Sequence, residues 1–144
     1  MQHIRGTCVA VDGHGVLIRG PSGSGKSDLA LRLIDDGAGL VADDYTALTI
    51  NDGGLTATAP EPIRGLIEVR GLGILRFAAH APVRVVVVVE LGSSSSVERL
   101  PAPAATDIAG VSLPLVRLAA FEASAAAKVR LAVRIATGGI MPVQ

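Results

Sequence analysis

Gly20-Pro21-Ser22-Gly23-Ser24-Gly25-Lys26-Ser27 lies between a β-prone run, Val16 to Arg19, and a segment of helical period. The octet matches G-x-x-x-x-G-K-[ST] in full, and a strand before it with a helix after it is the context that gives the pattern meaning. Its glycines let backbone N–H groups converge on phosphate oxygens, and the N-terminus of the following helix adds a favourable dipole. Lys26 then reaches the β- and γ-phosphates of a nucleotide, and the Ser27 hydroxyl binds Mg²⁺. The chain holds eleven arginines and two lysines, Lys26 and Lys128, yet a lysine stands where a compact ammonium is wanted.

The pattern extends outward on both sides. Leu29, Leu31, Leu33 and Ile34, spaced among Asp28, Arg32, Asp35 and Asp36, predict a helix of about three turns that Gly37 ends. Leu40 to Ala42 is a short strand ending in Asp43-Asp44. Strand, glycine loop, helix and strand open an α/β domain. Upstream, Thr7 to Val11 is β-prone, with a tight turn at Asp12-Gly13-His14-Gly15. Downstream, Thr46 to Ile50 and Leu55 to Ala59 form a hairpin across Asn51-Asp52-Gly53-Gly54. Glycines 65, 71 and 73 interrupt Ile63 to Leu75. Val83 to Leu91 is the strongest strand, and its unbroken apolar run predicts burial on both faces. Gly92 to Pro103 reads as a surface loop, Val111 to Val116 as a last strand, and Ala119 to Ile135 as a helix with Leu118, Phe121, Val129 and Val133 on its apolar stripe.

Composition removes several function classes. A chain of 144 residues, 49% hydrophobic and 18% charged, is expected to form one domain over 1–144. Thirteen basic residues balance thirteen acidic ones, and aromatics make up 2%, which speaks against binding to nucleic acid or an anionic membrane. One cysteine, Cys8, excludes an intrachain disulfide and a multi-cysteine zinc site; it reads as a small core residue on a strand. Neither an apolar leader nor a run near the ~20 residues of a membrane span is visible, so a cytoplasmic setting is expected.

Carboxylates add chemistry to the phosphate loop. Asp43-Asp44 ends the strand after the P-loop helix, and neighbouring strand ends meet at one edge of an open α/β sheet. Successive residues point to opposite faces, so the pair can divide its work, one toward the γ-phosphate and the other toward a metal-bound water or a backbone donor; spacing alone fits an Asp turn after a strand equally well. Further on comes Ile67-Glu68-Val69-Arg70-Gly71-Leu72-Gly73-Ile74. Glu68 and Arg70 share a strand face and, on the residues alone, read equally as a surface pair.

Taken in order, GPSGSGKS, LVADD and IEVRGLGIL resemble the HPr kinase/phosphorylase family over about residues 5 to 76, in a short form without the family's N-terminal domain. The resemblance implies an α/β P-loop kinase domain with a mixed central sheet and flanking helices, and ATP- and Mg²⁺-dependent phosphorylation of a serine on an HPr-like phosphocarrier, with reverse phosphorolysis, by a homo-oligomer that is hexameric in the family. It implies nucleotide binding by Gly20, Pro21, Ser22, Gly23, Ser24, Gly25, Lys26 and Ser27, and Mg²⁺ held by Ser27 and Glu68. Asp43 is implied as the base that takes the serine proton, Lys26 as a contact to the transferred phosphate and Arg99 as the match of a family arginine near it, with Arg70 the fourth catalytic residue. Arg70, Gly71, Leu72 and Gly73 would shape the partner-docking face. Two positions depart from the family. Arg5 stands where the family has a phosphate-binding histidine, and arginine cannot shuttle a proton near neutrality, so phosphorolysis is expected to be slow or absent. The family's basic segment before its last helix is reduced to Ser112–Arg117, with one arginine. The alternative is a non-catalytic ATP-binding sensor that signals to a partner. An ABC-type ATPase, suggested by Val85 to Glu90 after the P-loop, is set aside because the chain has no L-S-G-G-Q element.

Overall fold

The structure, a computed structural model, describes residues 1–143. The chain runs β1 (Gln2–Arg5), β2 (Thr7–Val11), β3 (His14–Arg19), α1 (Lys26–Asp35), β4 (Gly39–Ala42), β5 (Tyr45–Asn51), β6 (Gly54–Thr58), β7 (Leu66–Val69), β8 (Gly73–Arg76), β9 (Val83–Leu91), β10 (Ala104–Ile108), β11 (Val111–Leu118) and α2 (Ala125–Ala136). No helix among the described residues is long and apolar enough to cross a membrane.

The expected α/β fold with a mixed sheet is present, and β9 is the strand that makes it mixed. One edge of β9 pairs parallel with β3, from Gly15 opposite Val85 to Arg19 opposite Glu90. Its other edge is divided: Val83 and Arg84 pair antiparallel with β6, and Val88 to Leu91 pair parallel with β11. A bulge makes this possible. Gly15 faces Val85 but Val16 faces Val87, so Val86 is unopposed and the facing of β9 inverts. Val83 and Val85 therefore pack with Leu48, Leu55 and Ala57, whereas Val87, Val89 and Leu91 pack against the helices. Glycine is needed at 15, because a Cβ there would lie 2.8 Å from the Arg84 carbonyl oxygen. Burial of β9 on both faces follows as expected.

Both helices lie on one face. Leu29, Ala30 and Leu33 of α1 and Ala125, Val129 and Val133 of α2 share a core with Val9, Val16, Ile18 and Val89. The opposite face is covered by the sheet's own curl, through β5, β6 and β11. On the outer side of α1, Leu31 and Ile34 pack with Leu40, Ile67, Val69, Leu75 and Phe77, which seats the β7–β8 hairpin beside the P-loop helix. The end of α1 is a Schellman cap: the Ala38 N–H donates to Leu33 O at 3.0 Å and the Gly37 N–H to Ile34 O at 3.0 Å, with Gly37 left-handed as expected.

Several local expectations change. The β5–β6 connection is two residues, Asp52-Gly53, because Asn51 and Gly54 already pair; both turn residues have positive φ, as a type I′ turn demands. Asp12-Gly13 and Ala109-Gly110 are turns of the same kind, and the second creates β10, a strand in a stretch whose sequence predicts no element. β1 is likewise added by pairing, along β5. The last helix starts at Ala125, so Leu118 closes β11 and Phe121 lies in the turn before the helix, off the apolar stripe.

Cys8 is fully buried in the core as expected, and burial pushes its thiol up to about 12 against a lowering hydrogen bond from the Val16 backbone. Since the thiolate is the reacting species, Cys8 in the folded protein at pH 8 is expected to react with a thiol-specific disulfide reagent roughly 10²–10³-fold more slowly than in denaturant. Rapid labelling of folded protein would contradict this packing.

Candidate active site

The P-loop joins β3 to α1 with its backbone turned inward. Gly23 and Gly25 adopt left-handed φ values of 81° and 97°, and the Ser24 N–H closes the loop onto Pro21 O at 3.0 Å. No side chain caps α1, so its first-turn N–H groups are free to meet an anion. The Lys26 ammonium donates to Gly20 O at 2.7 Å and Pro21 O at 3.1 Å, which holds it across the loop. The Ser24 hydroxyl is buried inside the loop with no partner among the described residues. An orphaned donor, uncapped N–H groups and a lysine at one concave turn fit a phosphate chain.

Asp43 is the centre of the arrangement. Its chain position is set by a corner at which the backbone leaves β4 for β5. Asp44 is left-handed at φ 67°, an aspartate-tolerant conformation, and its carbonyl accepts from the Gly6 N–H at 2.8 Å. This corner turns the two carboxylates apart, as their alternation predicted. Asp43 is 7% exposed, and its Oδ1 accepts from Ser27 Oγ at 2.8 Å and from Thr7 Oγ1 at 3.0 Å. Its Oδ2 accepts from the Glu68 N–H at 3.5 Å. Asp44 is exposed and faces the cavity.

That cavity, about 410 Å³, is lined by the P-loop from Ser22 to Ser27 (without Ser24), by Arg5, Asp28, Asp44, Glu68 and Arg70, and by Leu31, Val69 and Phe121. Its size is that of a small-ligand site. Arg5 sits with its guanidinium 5.8 Å from the centre of the Tyr45 ring, a cation–π contact that leaves it at the cavity edge.

Of the residues marked in the sequence, Ser22, Gly23, Gly25, Lys26, Ser27, Glu68 and Arg70 line the cavity, and Asp43 stands directly behind Ser27. Gly71 and Leu72 lie in the exposed β7–β8 turn outside it, and Gly73, also exposed, opens β8. Arg99 lies in the exposed 92–103 segment and is not among the lining residues. Thr7 and Phe121 were not marked as site residues. A threonine in a β-run carries no signal of its partner, but Phe121 is one of three aromatics in the chain, and that rarity beside small residues was a usable sign. Glu90, which had suggested an ATPase strand, is taken up by Arg19 at 3.3 Å and Arg117 at 3.4 Å.

No group of three or more His, Cys, Asp or Glu side chains that could hold a metal occurs among the described residues. The donor set suits Mg²⁺ all the same, because this ion keeps several waters and is usually held by one or two protein oxygens plus substrate phosphates. Ser27 meets the need well: its hydrogen is committed to Asp43, which leaves its lone pairs for a cation.

Comparison with known proteins gives the lineage. The family model described as HPr Serine kinase C-terminal domain matches residues 1–134. The chain belongs to this family. Among curated relatives, HPr kinase/phosphorylase of Chlorobium phaeobacteroides is 39% identical over 133 residues, 83% of this chain and 41% of that protein. HPr kinase/phosphorylase of Caldicellulosiruptor bescii is 52% identical over 71 residues, 49% of this chain and 23% of the relative. In architecture the chain is similar to the Hpr(Ser) kinase/phosphatase of Coxiella burnetii, with a TM-score of 0.84, 25% identity, and coverage of 96% of this chain and 98% of the other. The chain thus spans about two fifths of the Chlorobium relative's length. The HPr kinase likeness, read from motifs over about residues 5 to 76, extends into the chain's second helix, to residue 134.

The hydroxyl of Thr7 can be tested separately from the rest. Thr7→Val leaves a buried acceptor short of one donor and is expected to lower unfolding stability in urea by about 1–3 kcal/mol, and Thr7→Ser is expected to recover most of it. Equal stability of Thr7→Val and the parent would show that the Asp43 contact carries no weight.

Proposed function

We propose that this domain transfers the γ-phosphate of ATP, with Mg²⁺, to a serine hydroxyl of an HPr-like phosphocarrier protein. The observation that carries the reading is the convergence of Ser27, Glu68 and Asp43 on one side of the P-loop, in a chain of the HPr kinase C-terminal domain family. Phosphoryl transfer asks mainly for positioning and for neutralisation of charge on the moving group. In this reading the P-loop backbone and Lys26 hold the β- and γ-phosphates. Ser27 and Glu68 hold Mg²⁺, which when bound neutralises phosphate charge. Asp43 accepts the serine proton as the hydroxyl attacks. Arg70 lies at the cavity rim, where the exposed turn Gly71-Leu72-Gly73 presents a face to the incoming carrier, and Arg99 is carried over as a phosphate-side arginine.

Arg5 sets the preferred direction. Fixed by Tyr45 at the cavity edge, it binds phosphate as a permanent cation and cannot pass a proton near neutrality. Forward transfer is therefore favoured over phosphorolysis. One domain over 1–144, assembly as a homo-oligomer, hexameric as in the family, and cytoplasmic action are carried over with the same reading.

The direct test is incubation with labelled ATP, Mg²⁺ and the host's HPr-like proteins, followed by phosphoamino-acid analysis. Serine phosphate on a carrier is expected, and its absence with ATP still bound would favour the sensor reading. Lys26→Ala is expected to weaken ATP binding at least about tenfold with the fold intact, as a charge-assisted contact is lost. Asp43→Asn is expected to cut transfer by ~10²–10⁴, the range for loss of a general base.

A further inference from the structure

Phe121 is 72% exposed, although the backbone on either side of it is firmly held. Ala119 and Ala120 before it are buried. Arg32, on the P-loop helix itself, donates from its guanidinium to the carbonyl oxygens of both Ala120 and Glu122, the latter at 3.3 Å. Arg32 is in turn paired with Asp28 at 3.0 Å. Glu122 is fixed from the other side by Lys128 of α2, at 3.1 Å. The turn is thus tied to both helices while its one large apolar side chain is left facing outward at the cavity rim.

The direction of that side chain is equally defined. A Cβ at Gly25 would lie 3.0 Å from Phe121 Cζ and 3.2 Å from Cε1, so the ring's outer edge sits against the P-loop backbone at the start of α1. Phe121 and the P-loop share one cavity wall. An ordered, solvent-facing aromatic ring adjoining a phosphate cradle presents a π-face where the base of a bound nucleotide would follow its phosphates. Stacking on such a face needs no hydrogen-bond code, and burying an exposed aromatic face adds apolar area to the contact.

We propose that Phe121 is the nucleobase platform of this site: the purine of the nucleotide stacks on its ring while the P-loop holds the phosphates. The inference rests on the nucleotide reading of the P-loop given above and extends it to the part of the ligand that the phosphate motif does not address. The competing use of an exposed aromatic is contact with the carrier protein, and the test separates the two.

Binding of ATP and of inorganic tripolyphosphate, both with Mg²⁺, is measured by calorimetry on the parent chain and on Phe121→Ala, Phe121→Leu and Phe121→Trp. Phe121→Ala and Phe121→Leu are expected to weaken ATP about tenfold, within the range seen for loss of one stacked base, and to leave tripolyphosphate binding unchanged. Phe121→Trp is expected to restore ATP affinity. The chain has no tryptophan, so this variant also carries a single tryptophan, whose emission should change with ATP and stay constant with tripolyphosphate. Unchanged ATP affinity in Phe121→Ala, or a defect confined to the KM for the carrier, overturns the platform and assigns the ring to the protein contact. A parent chain that binds tripolyphosphate but gains nothing from the nucleoside also overturns it, with the P-loop reading intact. A parent chain that binds neither ligand removes the P-loop reading and this inference together.

Discussion

The carboxylate of Asp43 is the point on which this site depends. Three parts of the chain that are distant in sequence donate to it: Thr7 from β2, Ser27 from the first turn of α1, and the Glu68 backbone from β7. A buried acceptor of this kind is costly to leave unmet. Strand β2, the helix after the P-loop and the hairpin outside it are thereby referred to one pair of oxygens. The same bond that satisfies Asp43 orients the Ser27 hydroxyl, so satisfaction of the buried carboxylate and orientation of a cavity-lining hydroxyl are one interaction.

The rest of the fold serves to bring these parts together. β9 reaches both halves of the molecule because a bulge at Val86 inverts its facing. That lets one strand end beside the P-loop and begin beside β6. The helices then occupy one face only, which leaves the outer side of α1 for the β7–β8 hairpin and so delivers Glu68 and Arg70 to the cavity. Arg32 performs a similar task at the other rim, fastening the turn before α2 to the P-loop helix through backbone carbonyls. Family membership is consistent with this economy: the domain model covers nearly the whole described chain.

Local chemistry was legible in the sequence wherever a motif carries its own geometry. The glycine loop, the helix it starts, the Gly37 cap and the paired aspartates all stand where their spacing implied, because turn and cap preferences act over a few residues. What escaped was decided by partners far away in the chain. β1 and β10 are strands only because β5 and β11 offer edges, and neither Gln2–Arg5 nor Ala104–Ile108 has much pattern of its own. The β5–β6 turn was read two residues too long because Asn51 and Gly54 are turn formers in composition but strand residues in register. Phe121 was drawn into the helix stripe by apolarity, although the alanines around it are equally compatible with a buried turn. Thr7 could be recognised as a site residue only once β2 and β4 were seen side by side.

In the function proposed above, Asp43 acts through Ser27 in preparing the site for Mg²⁺ and nucleotide. A double-mutant cycle on the Mg²⁺ dependence of ATP binding, with Ser27→Ala, Asp43→Asn and the pair together, tests it most directly. Strong coupling is expected, on the order of 0.5–3 kcal/mol, with either single change removing most of the Mg²⁺ dependence and the second adding little. Losses that simply add would mean that the two side chains work independently and would contradict this role of Asp43.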